Sequence, residues 1–207
     1  MNKDWFRNEI WNESIEKEFF SMLSRARSQR DQYLVIQALT LSKRLPQISL
    51  KLVDFYFESK KSDFEDIRAL QAKADSCLAL KNYDQAIESM KNILAIEKLR
   101  PNQKTSMFVD YPYFVATHKM KNEYSTSLLV LAERGNEAVF PIQQYKLHAA
   151  KSFIHHAQSE IELAKEHAHL ALGAAQAKKS GFLFHENLGL VGKEHSSAIK
   201  SLRKLIA

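Results

Sequence analysis

Eight histidines stand out first, because His148, His155, His156, His167 and His169 crowd into one short stretch where imidazoles could gather a transition metal. Their spacing argues against it. No two of the eight lie four residues apart. At about 100° of helix per residue, His155 and His156 diverge by about 100° and His167 and His169 by about 200°, so no single helix presents a bidentate pair. Ligands would have to converge from different helices, and the expectation is that no metal or other cofactor is bound. Other catalytic arrangements fare no better. Neither a G-x-x-x-x-G-K-[ST] nor a G-x-G-x-x-G phosphate cradle occurs, and there is no G-x-S-x-G elbow. Cys77, the only cysteine, falls on an expected buried helix face, where a thiol behaves as a small hydrophobe. Asp63, Glu65 and Asp66 suit the electrostatics of a helix start better than paired acid and base roles. The chain therefore reads as non-enzymatic.

The elements that position these residues are helices. Only five glycines and four prolines punctuate 207 residues, too few for the turns of a sandwich or barrel. The 45% hydrophobic and 26% charged fractions match a globular chain with a real core. One cysteine excludes an intramolecular disulfide framework and fits a reducing compartment. No apolar run approaches the ~20 residues that span a bilayer, and the first thirty residues lack an apolar signal core. Cytoplasmic placement without membrane association is the expectation.

Asn12 is expected to cap a first helix carrying Ile15, Phe19, Met22, Leu23 and Ala26 on one stripe, with Trp5, Phe6, Ile10 and Trp11 covering the N-terminal end. Residues 33–42 and 46–58 then pair, with Pro46 in the first turn of the second arm. Asp63 is placed as the cap of a helix over 63–80, and Asn82 opens the next arm. Pro112 leaves two possibilities for 103–120: a kinked helix, or a new helix starting near Asp110. Helices over 124–133, 141–157 and 160–177 follow. An ordered loop is expected next, pinned by Phe182, Phe184, Leu188, Leu190 and Val191, and a final helix over 194–206 closes the chain.

The run Ala74, Cys77, Tyr83, Ala86, Met90 and Ile93 carries the small-and-large alternation of a helical hairpin. On these residues the chain resembles the tetratricopeptide repeat. Weaker copies read Ser152, His155, Ile161, Ala164, Ala168 and Ala171; then Val115, His118, Tyr124, Ser127 and Leu131; and finally Ser49, Val53 and Tyr56. Equivalent small positions are spaced 37 from Ser49 to Ala86, 41 on to Ser127 and 37 on to Ala164, longer than the usual 34 of the family. The resemblance implies an all-α fold of antiparallel helical hairpins, stacked as a short right-handed superhelix over residues 31–177. A capping segment and helix at 1–30 and an anchored loop with a capping helix at 178–207 would complete a single domain. It also implies that Arg68, Gln71, Asp75 and Leu78, then Val109, Ala116 and Lys119, then Lys146, Ala149, Phe153 and His156 line a concave groove that receives a protein or peptide partner. The segments Asp4-Trp5-Phe6-Arg7-Asn8 and Ser180-Gly181-Phe182, with His185 and Gly189-Leu190-Val191, resemble features of uncharacterised bacterial proteins of this helical type, which implies a bacterial source and no activity. A sharper form of the expectation is an immunity or regulatory protein that masks a toxin or effector.

The formal net charge of +6 supports an alternative. It is concentrated at residues 43–61 (Lys43, Arg44, Lys51, Lys60, Lys61) and near the C-terminus (Lys193, Lys200, Arg203, Lys204), where phosphates of a nucleic acid could be tracked.

Overall fold

The computed structural model describes residues 4–207; Met1, Asn2 and Lys3 of the expected N-terminal cap lie outside the described residues. The fold is all-α, and among the described residues there is no strand. No described helix is long and apolar enough to cross a membrane. The chain divides into two compact units, one ending at Lys104 and one running from Thr105 to Ala207.

The first unit holds α1 (Glu13–Arg25), α2 (Arg30–Leu41), α3 (Pro46–Ser59), α4 (Asp66–Ala79) and α5 (Tyr83–Leu99). Asn12 caps α1 as its residue type requires: its side chain accepts the Ile15 N–H at 3.0 Å. Phe19 and Leu23 of the predicted stripe are buried against Leu34, Val35, Leu41 and Leu52. Pro46 occupies the first turn of α3, and Leu45 before it is non-helical, as the proline ring demands. Trp5, Phe6 and Trp11 cover the end of this core, while Ile10 stays exposed. Gln37, fully buried, fixes the cover by accepting the Asn8 N–H at 2.9 Å and donating to the Asn8 carbonyl at 2.8 Å.

Asp63 does not cap α4, which begins at Asp66. Asp63 instead binds Lys60 at 2.7 Å and Arg100 at 3.3 Å. Asp66 accepts the hydroxyl of the fully buried Tyr56 at 2.8 Å and the Lys60 ammonium at 2.8 Å. Arg44 of the same basic stretch pairs with Glu9 at 2.7 Å.

The second unit holds α6 (Met107–Thr117), α7 (Tyr124–Arg134), α8 (Pro141–Ala157), α9 (Ile161–Ala175) and α10 (Ser196–Ile206). Helix α6 starts at Met107 and continues through Pro112, so no new helix opens near Asp110. Three hairpins, α4–α5, α6–α7 and α8–α9, close with the same backbone device. Lys81, Lys119 and Ser159 adopt left-handed φ of 60°, 56° and 66°. The following N–H then bonds five residues back: Asn82 to Cys77 at 2.8 Å, Met120 to Val115 at 3.0 Å, Glu160 to His155 at 2.9 Å. The second arms also share a register. Ser49, Ala86, Ser127 and Ala164 each sit in the first turn of their helix and are essentially buried, as close helix crossing requires. Ser49 donates across its hairpin to the Ala38 carbonyl and Ser152 to the Ala164 carbonyl, both at 2.8 Å.

One register assignment is corrected. A 3-10 turn, Lys121–Glu123, inserts three residues before α7, so Val115 rather than His118 is equivalent to Cys77 and His155. His118 is exposed and packs on Phe114.

The loop before α10 is pinned by fewer anchors than its sequence suggests. Phe182 stacks on Phe140 and Val191 packs on the core, but Phe184 is 88% exposed and Leu188 is also open. Ser180 holds the base, its N–H donating to the Glu186 carbonyl and its hydroxyl to the His185 carbonyl, each at 2.7 Å. Gly189 has φ +70°, and a Cβ there would lie 2.7 Å from Phe140. Its carbonyl accepts the Ile142 N–H at 2.8 Å, satisfying a donor at the start of α8. Gly189→Ala is expected to loosen the loop by about 2 kcal/mol. Limited proteolysis reads this as much faster tryptic cleavage at Lys179 and Lys193, with helix content unchanged by circular dichroism.

Candidate functional site

The predicted groove positions fall into two sets. Arg68, Gln71, Asp75 and Leu78 lie along α4 in the first unit. Arg68 binds the buried Glu65 at 2.8 Å, and Gln71 donates to Asp75 at 3.0 Å. The remaining positions belong to the second unit. Val109 is fully buried and cannot touch a partner; its place on the inner side of α6 puts it in the core, and Ala149 of α8 is equally enclosed. Lys146 is drawn away to Asp110 at 2.7 Å, with its ammonium 6.0 Å from the Tyr113 ring centre.

Ala116, Lys119, Phe153 and His156 do come together, on the wall of a cleft of about 780 Å³ within the second unit. Its size is that of ordinary ligand sites. The end of α6 supplies Tyr113, Ala116 and Thr117; the turn after it supplies Lys119 and Lys121, and α7 adds Tyr124. From α8 come Phe153, His156 and Ala157. The opposite wall is α10 and the turn before it, with Glu194, His195, Ser197, Ala198, Ser201, Lys204 and Leu205.

Helix α10 is held there by its own apolar face. Leu202 is fully buried, and Ile199 and Ile206 pack with it against Tyr145, Ala168, Ala171 and Leu172. His195 locks the entrance to the helix: its Nδ1 lies 3.0 Å from the Tyr113 hydroxyl, and its ring packs on Tyr113 and Tyr145. Burial, followed by the positive charge of Lys146, lowers the His195 pKa, so the ring is neutral at pH 7. Burial raises the Tyr113 pKa, and its hydroxyl stays protonated. The resemblance to the tetratricopeptide repeat pointed to the α6 and α8 wall. Of the α10 wall only Lys204 was singled out, for phosphate contact, because a helix read as a cap was not given a partner for its outer face.

The histidines converge in a way single-helix spacing could not reveal. His148 of α8 and His167 of α9 bring their Nδ1 atoms to 3.2 Å, and His155 stacks on His167 with ring centres 5.7 Å apart. His155 Nδ1 is engaged by Glu160. Among the described residues no group of three or more histidine, cysteine or acidic side chains could hold a metal ion. Burial, then the neighbouring His167 and Lys151, push His148 down to about 4. Cys77 is buried, and burial raises its pKa, so it remains a thiol.

Within the cleft the Tyr113 hydroxyl lies beside the His195 imidazole, whose Nε2 is 3.6 Å from the Glu194 carboxylate. The cleft's other hydroxyls are mostly turned to the chain itself: Thr117 donates to the Tyr113 carbonyl at 2.8 Å and Ser201 to the Ser197 carbonyl at 3.2 Å. What the cleft can do is enclose apolar groups and attract anions. No family model matches the chain, and neither the curated proteins nor the solved structures yield a match.

Proposed function

We propose that this chain is a non-enzymatic, TPR-like helical adaptor whose second unit binds a segment of a protein partner in the cleft between α6, α8 and α10. The observation that carries the reading is the cleft itself. Four positions singled out by the repeat pattern, Ala116, Lys119, Phe153 and His156, share one open cavity with an apolar floor. Phe153 is the anchor-type residue, since large aromatics dominate the energetics of such surfaces. The alternative is nucleic-acid binding through residues 43–61 and 193–204; its first patch is weakened because Lys60 pairs with Asp63 and Asp66 and Arg44 with Glu9.

Selection of a random dodecapeptide display library on the immobilised protein tests the reading. Selected peptides should bind the wild type and lose about tenfold or more in affinity for Phe153→Asp and Ala116→Arg, which fill or charge the cleft. Circular dichroism and thermal melts must show both variants folded. Recovery of no peptides, or of peptides indifferent to both substitutions, would remove the cleft as the binding site.

A further inference from the structure

We propose that the occupant of the cleft is an acidic amphipathic α-helix of the partner, an inference that rests on the peptide-binding reading above and specifies its ligand. Two independent features of the wall carry it.

The first is the shortage of hydrogen-bonding groups for a bare backbone. An extended segment brings an unpaired N–H and C=O at every residue, and each needs a partner when water is excluded. The cleft cannot supply them. Tyr113 is engaged by His195, Thr117 by the Tyr113 carbonyl and Ser201 by the Ser197 carbonyl. The remaining polar side chains are the four charged ones, His156 and the hydroxyls of Tyr124 and Ser197; on helical walls they offer no regular ladder of backbone donors and acceptors such as a strand edge gives an extended segment. A helix satisfies its own backbone and asks only for a surface. The wall provides one: Ala116, Ala157 and Ala198, contributed by three different helices, are small enough to allow close approach, with Phe153 and Leu205 as the bulky contacts. Apolar residues at i, i+3, i+4 and i+7 of the incoming helix would meet them.

The second feature is charge. Lys119, Lys121 and Lys204 rim the cleft, all exposed, and among the described residues none of the three forms an ion pair. Glu194 is the one acidic side chain on the wall. Lys119 occupies the left-handed corner that closes α6–α7, and Lys204 lies on α10 between the core residues Leu202 and Leu205. Carboxylates flanking the apolar face of the ligand complement this rim.

The peptides selected from the dodecapeptide library provide the test. Their sequences should show apolar residues at helical spacing, Asp or Glu between them and depletion of proline. In fluorescence anisotropy, a central proline in the tightest peptide should weaken binding at least tenfold. Replacing its acids by Gln, or using the protein variant Lys119→Gln/Lys121→Gln/Lys204→Gln, should each cost about tenfold at low salt, three exposed ion pairs at about twofold apiece. Peptides that bind the cleft but tolerate the proline, or that show no preference for acids, would overturn this inference while leaving the adaptor reading standing. If no peptide binds the cleft, both fail.

Discussion

Asp66→Ala should destabilise the first unit by about 3 kcal/mol. The carboxylate is nearly buried and serves two groups at once, the Tyr56 hydroxyl and the Lys60 ammonium, each at 2.8 Å. Its removal leaves the phenol only the longer bond to the Ser62 carbonyl at 3.3 Å and leaves Lys60 with Asp63 alone, a residue on the exposed side of the same turn. Burial and the Asp66 carboxylate push the Tyr56 pKa well above the usual phenol value, which marks the hydroxyl as a committed donor. Tyr56→Phe removes that donor but spares the Asp66–Lys60 pair, so it should cost only about 1 kcal/mol. Urea unfolding of both variants settles the order. A smaller loss for Asp66→Ala than for Tyr56→Phe would show that the acid is not the hub of the turn.

Acid should unfold the second unit selectively, through histidines that are neutral when folded. His148, held near 4 in the native state by burial and its histidine neighbour, returns to about 6.5 when the chain unfolds. A base whose pKa is depressed by folding binds more protons in the unfolded state. Stability is therefore fully present above about pH 6.5 and falls as pH drops toward 4. His148 alone would give at most about 3 kcal/mol, which its partial exposure reduces to about 2. His167 and His195, both lowered mainly by burial, act in the same direction. Denaturant midpoints between pH 7 and pH 4.5 should drop for the wild type and drop less for His148→Gln, which keeps a polar group beside His167 without its proton uptake. A midpoint independent of pH in this window would contradict the burial of the pair.

Much of the helical layout was legible because it rests on local chemistry. Asn12 announces the start of α1 and Pro46 and Pro141 the starts of α3 and α8, since a cap side chain or a fixed φ acts within one turn. The buried series Ser49, Ala86, Ser127 and Ala164 was legible because small residues recur only where helices cross closely. What escaped depended on partners distant in sequence. Asp63 has the residue type of a cap, but Lys60 and Arg100 claim it. Val109 and Lys146 stood at groove positions by the repeat resemblance, and the core took one and Asp110 the other. The division after Lys104 carried no compositional mark, and the α10 wall of the cleft depends on which face of that helix docks.

The hairpin closures at Lys81, Lys119 and Ser159 carry a wider implication. Each bends in a conformation usually left to glycine, yet two of the three place a long cationic side chain there, because the five-back hydrogen bond offsets the steric cost. Mutational drift at such corners is thus free to sample side chains of many sizes without dissolving the bend.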